Sequence, residues 1–288
     1  VTLPEGLQSV VFGTHFDRDV ILPESLQHVE FGWCFNRDVV MTKSLRSVKF
    51  GFMFNHDVVL SSSQHIEFGY HFNSDAVLPE NLQSVVFGCM FNRNVILPAS
   101  LQHVELGGRF DRDIILPEGL RSVVFGDNFN RNVVLPDSLQ SVKFGIYFDR
   151  PVILPPTLYS VVFGWSFNRG VILPASLQSV EFGHDFNQVV ELPKSLQSVE
   201  FGYEFNRDVV LPKSLQSVVF GDDFNQIVEL PEGLQHVEFG YDFNLDVVLP
   251  ASLQSVDFGD NFNCTIKIPK NLPISIIPNK FRYLVVIL

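Results

Sequence analysis

The fold class this sequence predicts is an all-β solenoid: a single right-handed coil of fourteen short repeats, with one parallel main sheet and little or no α-helix. Three observations carry that prediction. Leu-Pro pairs or their substitutes return from Leu3 to Leu249, almost always 19 residues apart. Of the 29 Phe in 288 residues, 27 fall in just two positions of that unit. The apolar positions are spaced too unevenly for a 3.6-residue helix or for one long strand. Self-similarity at a fixed short period marks a solenoid, in which each unit packs against its neighbours.

The units begin at Leu3, Leu22, Met41, Leu60 and Leu78, then every 19 residues from Leu97 to Leu249. Numbered as slots 1 to 19, their consensus is L-P-x-S-L-Q-S-V-x-F-G-x-x-F-N-R-D-V-V. Slots 1, 5, 8, 10, 14 and 18 are apolar in nearly every copy, as a coil with corners requires when each short side sends one or two side chains inward. Slots 7 to 10 alternate, so Val29 and Phe31 point inward while His28 and Glu30 point out. This is the predicted main strand. It ends at a Gly found in all fourteen units, which implies a sharp corner or a positive φ. The Pro of slot 2, present in twelve units, sets an extended corner and excludes helix. Phe fills slot 14 throughout and slot 10 everywhere but Leu106, predicting two stacked aromatic ladders. Slot 15 is always Asn or Asp, and such a side chain is expected to bond the backbone of the next coil.

Slots 16 to 19 usually read Arg-Asp-Val-Val, but Gln188 to Glu191 and Gln226 to Glu229 move the acid from slot 17 to slot 19. Slots 17 and 19 share a face of an extended segment, so a partly exposed outer strand with one acid and one aliphatic per coil is expected. An Arg row (Arg18, Arg37, Arg93, Arg112, Arg131, Arg150, Arg169) runs beside an Asp/Asn row, read as a self-neutralising solvated face. Units three and four lose the Pro, and the unit from Leu60 lacks one residue and the Leu of slot 5. They mark the local defect expected in the stack. The apolar tail from Ile268 breaks the pattern. The expected organisation is therefore a solenoid over 1–267 and a C-terminal capping segment over 268–288.

The segment LPESLQHVEFGWCFNRDVV, Leu22 to Val40, resembles the FNIP repeat, a leucine-rich-repeat-like family that pairs Leu-Pro-x-Ser-Leu with Phe-Gly-x-x-Phe-Asn. The resemblance covers all fourteen units. It departs in its shortened unit of about 19 residues and in the usual loss of the Pro after Phe-Asn-x, kept here only as Pro151. The resemblance implies a leucine-rich-repeat-like solenoid and a role as an interaction module, with no catalytic residues.

Slots 12 and 13 vary most between copies and hold both Trp and most of the Tyr. Exposed aromatics beside a strand face have the composition of an interface core; drift at a permissive loop is the competing reading. The candidate partner-binding residues are Trp33, Phe52, Tyr70, Met90, Tyr147, Trp165, Tyr203 and Tyr241. To them slot 9 adds Glu181, Glu200, Glu238 and Asp257, acids expected to stack as like-charged neighbours, whereas Lys49 should pair with Glu30 and Glu67. Residues 173–267 hold 15 acids and 4 bases, a net of −11 that calls for a basic partner surface and excludes a nucleic-acid groove.

No cofactor, metal site or catalytic constellation is expected. The outward His-x-Glu pairs, such as His28-Glu30 and His65-Glu67, lie two coils apart, roughly 10 Å, too far to share an ion. Cys34, Cys89 and Cys264 are too scattered for a disulfide framework and fit a reducing, cytoplasmic setting. No apolar run approaches the ~20 residues that span a bilayer, so no membrane partner is expected. The function expected is a non-enzymatic scaffold for protein–protein interaction. The alternative is a structural or self-assembling element, a homo-oligomer joined through the solenoid ends.

Overall fold

In the computed structural model, which describes all 288 residues, slots 7 to 9 of every unit form a three-residue strand. The chain divides into two compact units, Val1–Ile146 and Tyr147–Leu288. In the first, strands from Ser9–Val11 to Ser141–Lys143 pair in parallel in chain order, each offset by one unit. In the second, the same holds from Ser160–Val162 to Ser255–Asp257. Equivalent slots face each other, as Val10 does Val29 and Val180 does Val199. The only helical turns are short 3-10 segments, Ile274–Ile276 and Asn279–Leu284.

Past the first coil, slots 5, 8, 10 and 14 of the predicted core are buried, while slots 1 and 18 range from buried to half-buried. Leu26, Val29, Phe31 and Phe35 of one coil are at most 4% exposed, and His28 and Glu30 between them face out. The aromatic ladders are present. Within a coil, slots 10 and 14 stack at 4.2 Å, as Phe31 does on Phe35. Between coils, slot-10 rings repeat at 5.7 Å (Phe182 to Phe201) and slot-14 rings at 6.1 Å (Phe186 to Phe205). The slot-14 rings therefore stand slightly farther apart than the slot-10 rings.

Each coil turns at two hydrogen-bonded corners. The Leu26 N–H donates to the Pro23 carbonyl at 3.1 Å, and the Phe35 N–H to the Gly32 carbonyl at 3.1 Å. The Gly of slot 11 is explained by close approach. A Cβ on Gly32 would lie 2.0 Å from the carbonyl oxygen of Gly13 in the preceding coil. Of the two causes open from sequence, positive φ is not the one, since Gly6 alone adopts it.

Slot 15 forms the predicted backbone ladder. Asn73 Oδ1 accepts from the Asn92 N–H at 2.9 Å, and Asn55 Oδ1 from the Asn73 N–H at 2.8 Å. A second ladder accompanies it: the slot-4 hydroxyl donates to the slot-5 carbonyl of the preceding coil, as Ser176 does to Leu158 at 2.6 Å. Removing the slot-15 acceptor strands a partly buried N–H, which costs about 1–3 kcal/mol. Asn73→Ala is accordingly expected to lose about that much in urea unfolding. Asn73→Asp, which keeps the acceptor as Asp111 does toward Asn130, should lose far less.

The outer side alternates as expected, but the exposure of slot 19 exceeds expectation. Slot 18 turns in, Val20, Val58 and Val190 being buried. Slot 19 is almost fully exposed: Ile96, Ile115 and Val134 stand at 87–90%. The Arg row reaches back to slot 15 of the coil before it. Arg131 grips the Asp111 carboxylate at 2.9 and 3.1 Å, and Arg93, facing an Asn, bonds the Asn73 carbonyl instead. The Arg131 guanidinium holds the Asp111 carboxyl below the usual carboxylate range.

The expected defect does not break the sheet, because Val48, Ile66 and Val85 remain in register. Ser63 occupies the position of the missing Leu at 1% exposure, and Ser62 bonds the Lys43 and Leu45 carbonyls. Here alone in the first unit a two-stranded pair, Val58–Val59 with Ala76–Val77, forms on the outer side. In the second unit Val247–Val248, Ile266–Ile268 and Val285–Ile287 form a small sheet. Phe281 meets the last ladder rings edge-on, 5.6 Å from Phe258 and 5.8 Å from Phe262.

Candidate partner-binding surface

The turn after each strand presents slot 12 outward, because the slot-11 glycine packs against the previous coil and slot 14 returns to the core. In-register stacking then lines up whatever slot 12 holds. In the first unit, Trp33, Phe52 and Tyr70 stack at 3.9 and 4.9 Å, within 9° of parallel. His71 lies edge-on to Phe52 at 4.9 Å. In the second unit Trp165 and Tyr203 sandwich the His184 ring at 4.1 and 4.8 Å. Trp33, Tyr70, Trp165, Tyr203 and Tyr241 are each about half exposed, and so is Tyr147 in slot 13. Asp222 interrupts the second row between Tyr203 and Tyr241, its carboxylate accepting from the Tyr241 N–H at 3.3 Å.

The aromatic row borders the strand face. A shallow groove in the first unit has Gly32, Gly51 and Gly69 at its floor, with Glu30, Lys49 and Glu67 on one side and Trp33, Phe52 and Tyr70 on the other. Lys49 pairs with Glu67 at 3.1 Å. Met90 sits half-buried in slot 13, and its backbone N–H bonds the Tyr70 carbonyl. It continues the adjacent row rather than the aromatic stack.

In the second unit Glu181 faces Glu200 and Glu238 faces Asp257 across the strands, the like-charged pairing read from the sequence. Burial first, then the Glu181 and Glu238 charges, raises the Glu200 carboxyl above its ordinary range. The folded state thus holds that proton more tightly than the unfolded chain. Its ionisation weakens the fold as pH rises through the raised value, and stability returns as pH falls toward the ordinary Glu range of about 4.3. Glu200→Gln is expected to raise the urea midpoint at pH 7 and to give little gain near pH 4. An equal gain at both values would contradict this cause.

One group of three metal-capable side chains exists: His184, Asp185 and Glu204, whose donor atoms lie within 4.8 Å of one another. His184 Nδ1 is already hydrogen-bonded to Asp185 Oδ1 at 2.7 Å, closer than the ~3.4 Å between two donors of a tetrahedral ion at ~2.0–2.1 Å. The cysteines are free. No helix is long and apolar enough to cross a membrane. Sequence reasoning missed His184 as the ring joining Trp165 to Tyr203, although its place in slot 12 carried the signal.

The FNIP repeat family model matches residues 110–147, 169–204, 186–223 and 205–242. Among solved structures the chain is similar to CroV588, described as a novel circular leucine-rich-repeat protein, at 31% identity and a TM-score of 0.74. That alignment covers 98% of this chain and 52% of CroV588, so this chain spans about half its length. Weaker similarities reach YopM from Yersinia enterocolitica WA-314 (15% identity, TM-score 0.39, 93% of this chain and 81% of that one). They also reach a leucine-rich repeat protein from Bacteroides ovatus ATCC 8483 (14%, 0.26, 100% and 87%). No curated protein matches significantly. With the Leu-Pro-x-Ser-Leu and Phe-Gly-x-x-Phe-Asn halves now seen as the two corners of one coil, residues 110–147 and 169–242 carry FNIP repeats, and the chain is built as a leucine-rich-repeat-like solenoid.

Proposed function

We propose that this chain is a non-enzymatic scaffold that binds another protein through slots 7, 9, 12 and 13. The observation carrying this reading is the exposed aromatic row, Trp33–Phe52–Tyr70 and Trp165–His184–Tyr203, held beside a charged strand face. Such rows offer large rigid contact area at low conformational cost, as interface anchors do. The acids Glu181, Glu200, Glu238 and Asp257 favour a partner with a basic surface over residues 173–267, because a cation would relieve the repulsion that Glu200 experiences. Leucine-rich-repeat-like folds generally serve as protein-binding frameworks, which supports the same class of role. The segment 268–288 closes the apolar ladder in this reading, with Phe281 lying across the last rings.

The test replaces Trp33, Tyr70, Tyr147, Trp165 and Tyr203 with Ser in the full chain and compares affinity capture with the parent chain by quantitative mass spectrometry. Partners bound by the parent should be lost from the variant while its circular dichroism is unchanged. An identical partner set would remove the reading. A second reading, a self-assembling element, rests on the regularity of the repeat, which stacks in register from coil to coil. It predicts sedimentation that changes with concentration; a monomer at every concentration counts against it.

A further inference from the structure

Most of the slot-19 row has no structural task. In the first unit it runs through seven consecutive coils, from Ile21 to Val134, with a Val or Ile in every one. Each is at least 58% exposed, and Val40, Ile96, Ile115 and Val134 reach 85–90%. No core contact accounts for β-branched residues there, since the adjacent slot 18 supplies the inward side chain. Nor do they serve a sheet, because strand pairing on this side is confined to Val58–Val59 and Ala76–Val77 and to the bridge of Thr2 with Ile21. A folded chain rarely leaves a continuous apolar row of this length uncovered, and a large exposed apolar patch rimmed by polar groups marks an interaction surface.

The rim identifies what covers it. Slot 17, on the same face of each segment, is Asp in five of these seven coils: Asp19, Asp38, Asp57, Asp75 and Asp113. The neighbouring arginines form no direct ion pair with this row, although Arg37 and Arg131 stand near enough to feel the Asp19 and Asp113 charges. Arg37 and Arg131 are bound to Asp17 and Asp111 of slot 15, and Arg93 and Arg112 to slot-15 carbonyls. Among the slot-17 acids, Asp38 alone in this unit has a titratable side-chain partner, the His56 ring at 2.9 Å. The face is therefore aliphatic teeth between carboxylates.

We propose that this outer face of residues 1–146 is a second docking surface, separate from the aromatic row, for a basic amphipathic segment of a partner protein. The segment's apolar side chains seat between the Val and Ile teeth, and its lysines or arginines meet the slot-17 aspartates. A second copy packing the same face would set Asp rows against Asp rows. An anionic bilayer or a nucleic acid would meet the same repulsion.

The experiment uses the full chain and a fluorescently labelled 18-residue Leu/Lys peptide that forms an amphipathic helix, followed by anisotropy. Two control peptides replace every Lys with Glu or every Leu with Ser. The protein variants are Ile96→Ser/Ile115→Ser/Val134→Ser, and separately Trp33→Ser/Tyr70→Ser. Saturable binding of the Leu/Lys peptide is expected. It should fall at least about tenfold, ~1.4 kcal/mol, in the slot-19 variant and with either control peptide, and stay unchanged in the Trp33/Tyr70 variant. The proposal is overturned if the Leu/Lys peptide does not bind the parent, or if the slot-19 variant binds it equally well. Loss in the Trp33/Tyr70 variant alone places the peptide on the aromatic row and overturns it too. Self-association of the parent, abolished by the slot-19 variant, would make a second copy the occupant and also overturn it.

Discussion

Gly202→Ala is expected to disrupt the coils around it, with a loss of at least about 4 kcal/mol. A Cβ at that position would lie 1.8 Å from the Gly183 carbonyl oxygen and 2.4 Å from its carbon. Backbone cannot swing aside as a side chain can. The Gly183 carbonyl lies in a corner whose own hydrogen bond, from the Phe186 N–H at 3.2 Å, fixes the turn. Relief must therefore come from separating two coils by more than an ångström, which would also pull apart the ring stack of Phe182 on Phe201. Gly170 is the internal control. Nothing lies within 4 Å of a Cβ there and its φ is not positive. Gly170→Ala should be neutral or slightly stabilising, through the lost freedom of the unfolded chain. Thermal and urea unfolding of the two variants measure the contrast, and equal effects would refute the close-approach account.

Phe205→Ala is expected to cost about 3–5 kcal/mol. The ring is fully buried, 4.0 Å from Phe201 in its own coil and 6.1 Å from Phe186 and from Phe224 in the coils on either side. Truncation removes three stacked contacts at once and leaves a void bounded by rings that the neighbouring coils hold in place. Phe205→Leu should cost less, because most of the volume remains. Leu106 shows that a Leu can stand in the adjacent slot-10 ladder at 2% exposure.

The division of labour among slots was legible because repetition performs the comparison that a single sequence ordinarily lacks. Val29 and Phe31 read as inward, and Asn73 as a backbone acceptor, because each recurs in a position that physics assigns one task. Terms that depend on the distance between coils were not legible. Gly32 has two possible causes in sequence, and only the 2.0 Å approach to Gly13 separates them. Ser62 and Ser63 show the same limit: a one-residue deletion looks like a defect until the sheet is seen to pass through in register. For the candidate surface, Trp33 and Tyr203 stood out by variation. His184 did not, because a polar residue between two aromatics suggests a break in the row rather than its middle ring. Alternation predicts partial exposure for slot 19; its near-complete exposure accompanies the lack of strand pairing over most of the row, which sequence does not show.

The central claim is that scaffold and recognition slots alternate within a single turn. Two residues apart in one coil, Tyr203 is 48% exposed and Phe205 is not exposed at all. The most direct test compares the urea-unfolding free energies of Tyr203→Ser and Phe205→Ala. The account predicts a loss of about 1 kcal/mol or less for Tyr203→Ser, from one partly solvated stacking contact, against about 3–5 kcal/mol for Phe205→Ala. Comparable losses would mean that slot 12 belongs to the scaffold and is not free to recognise a partner, contradicting the account.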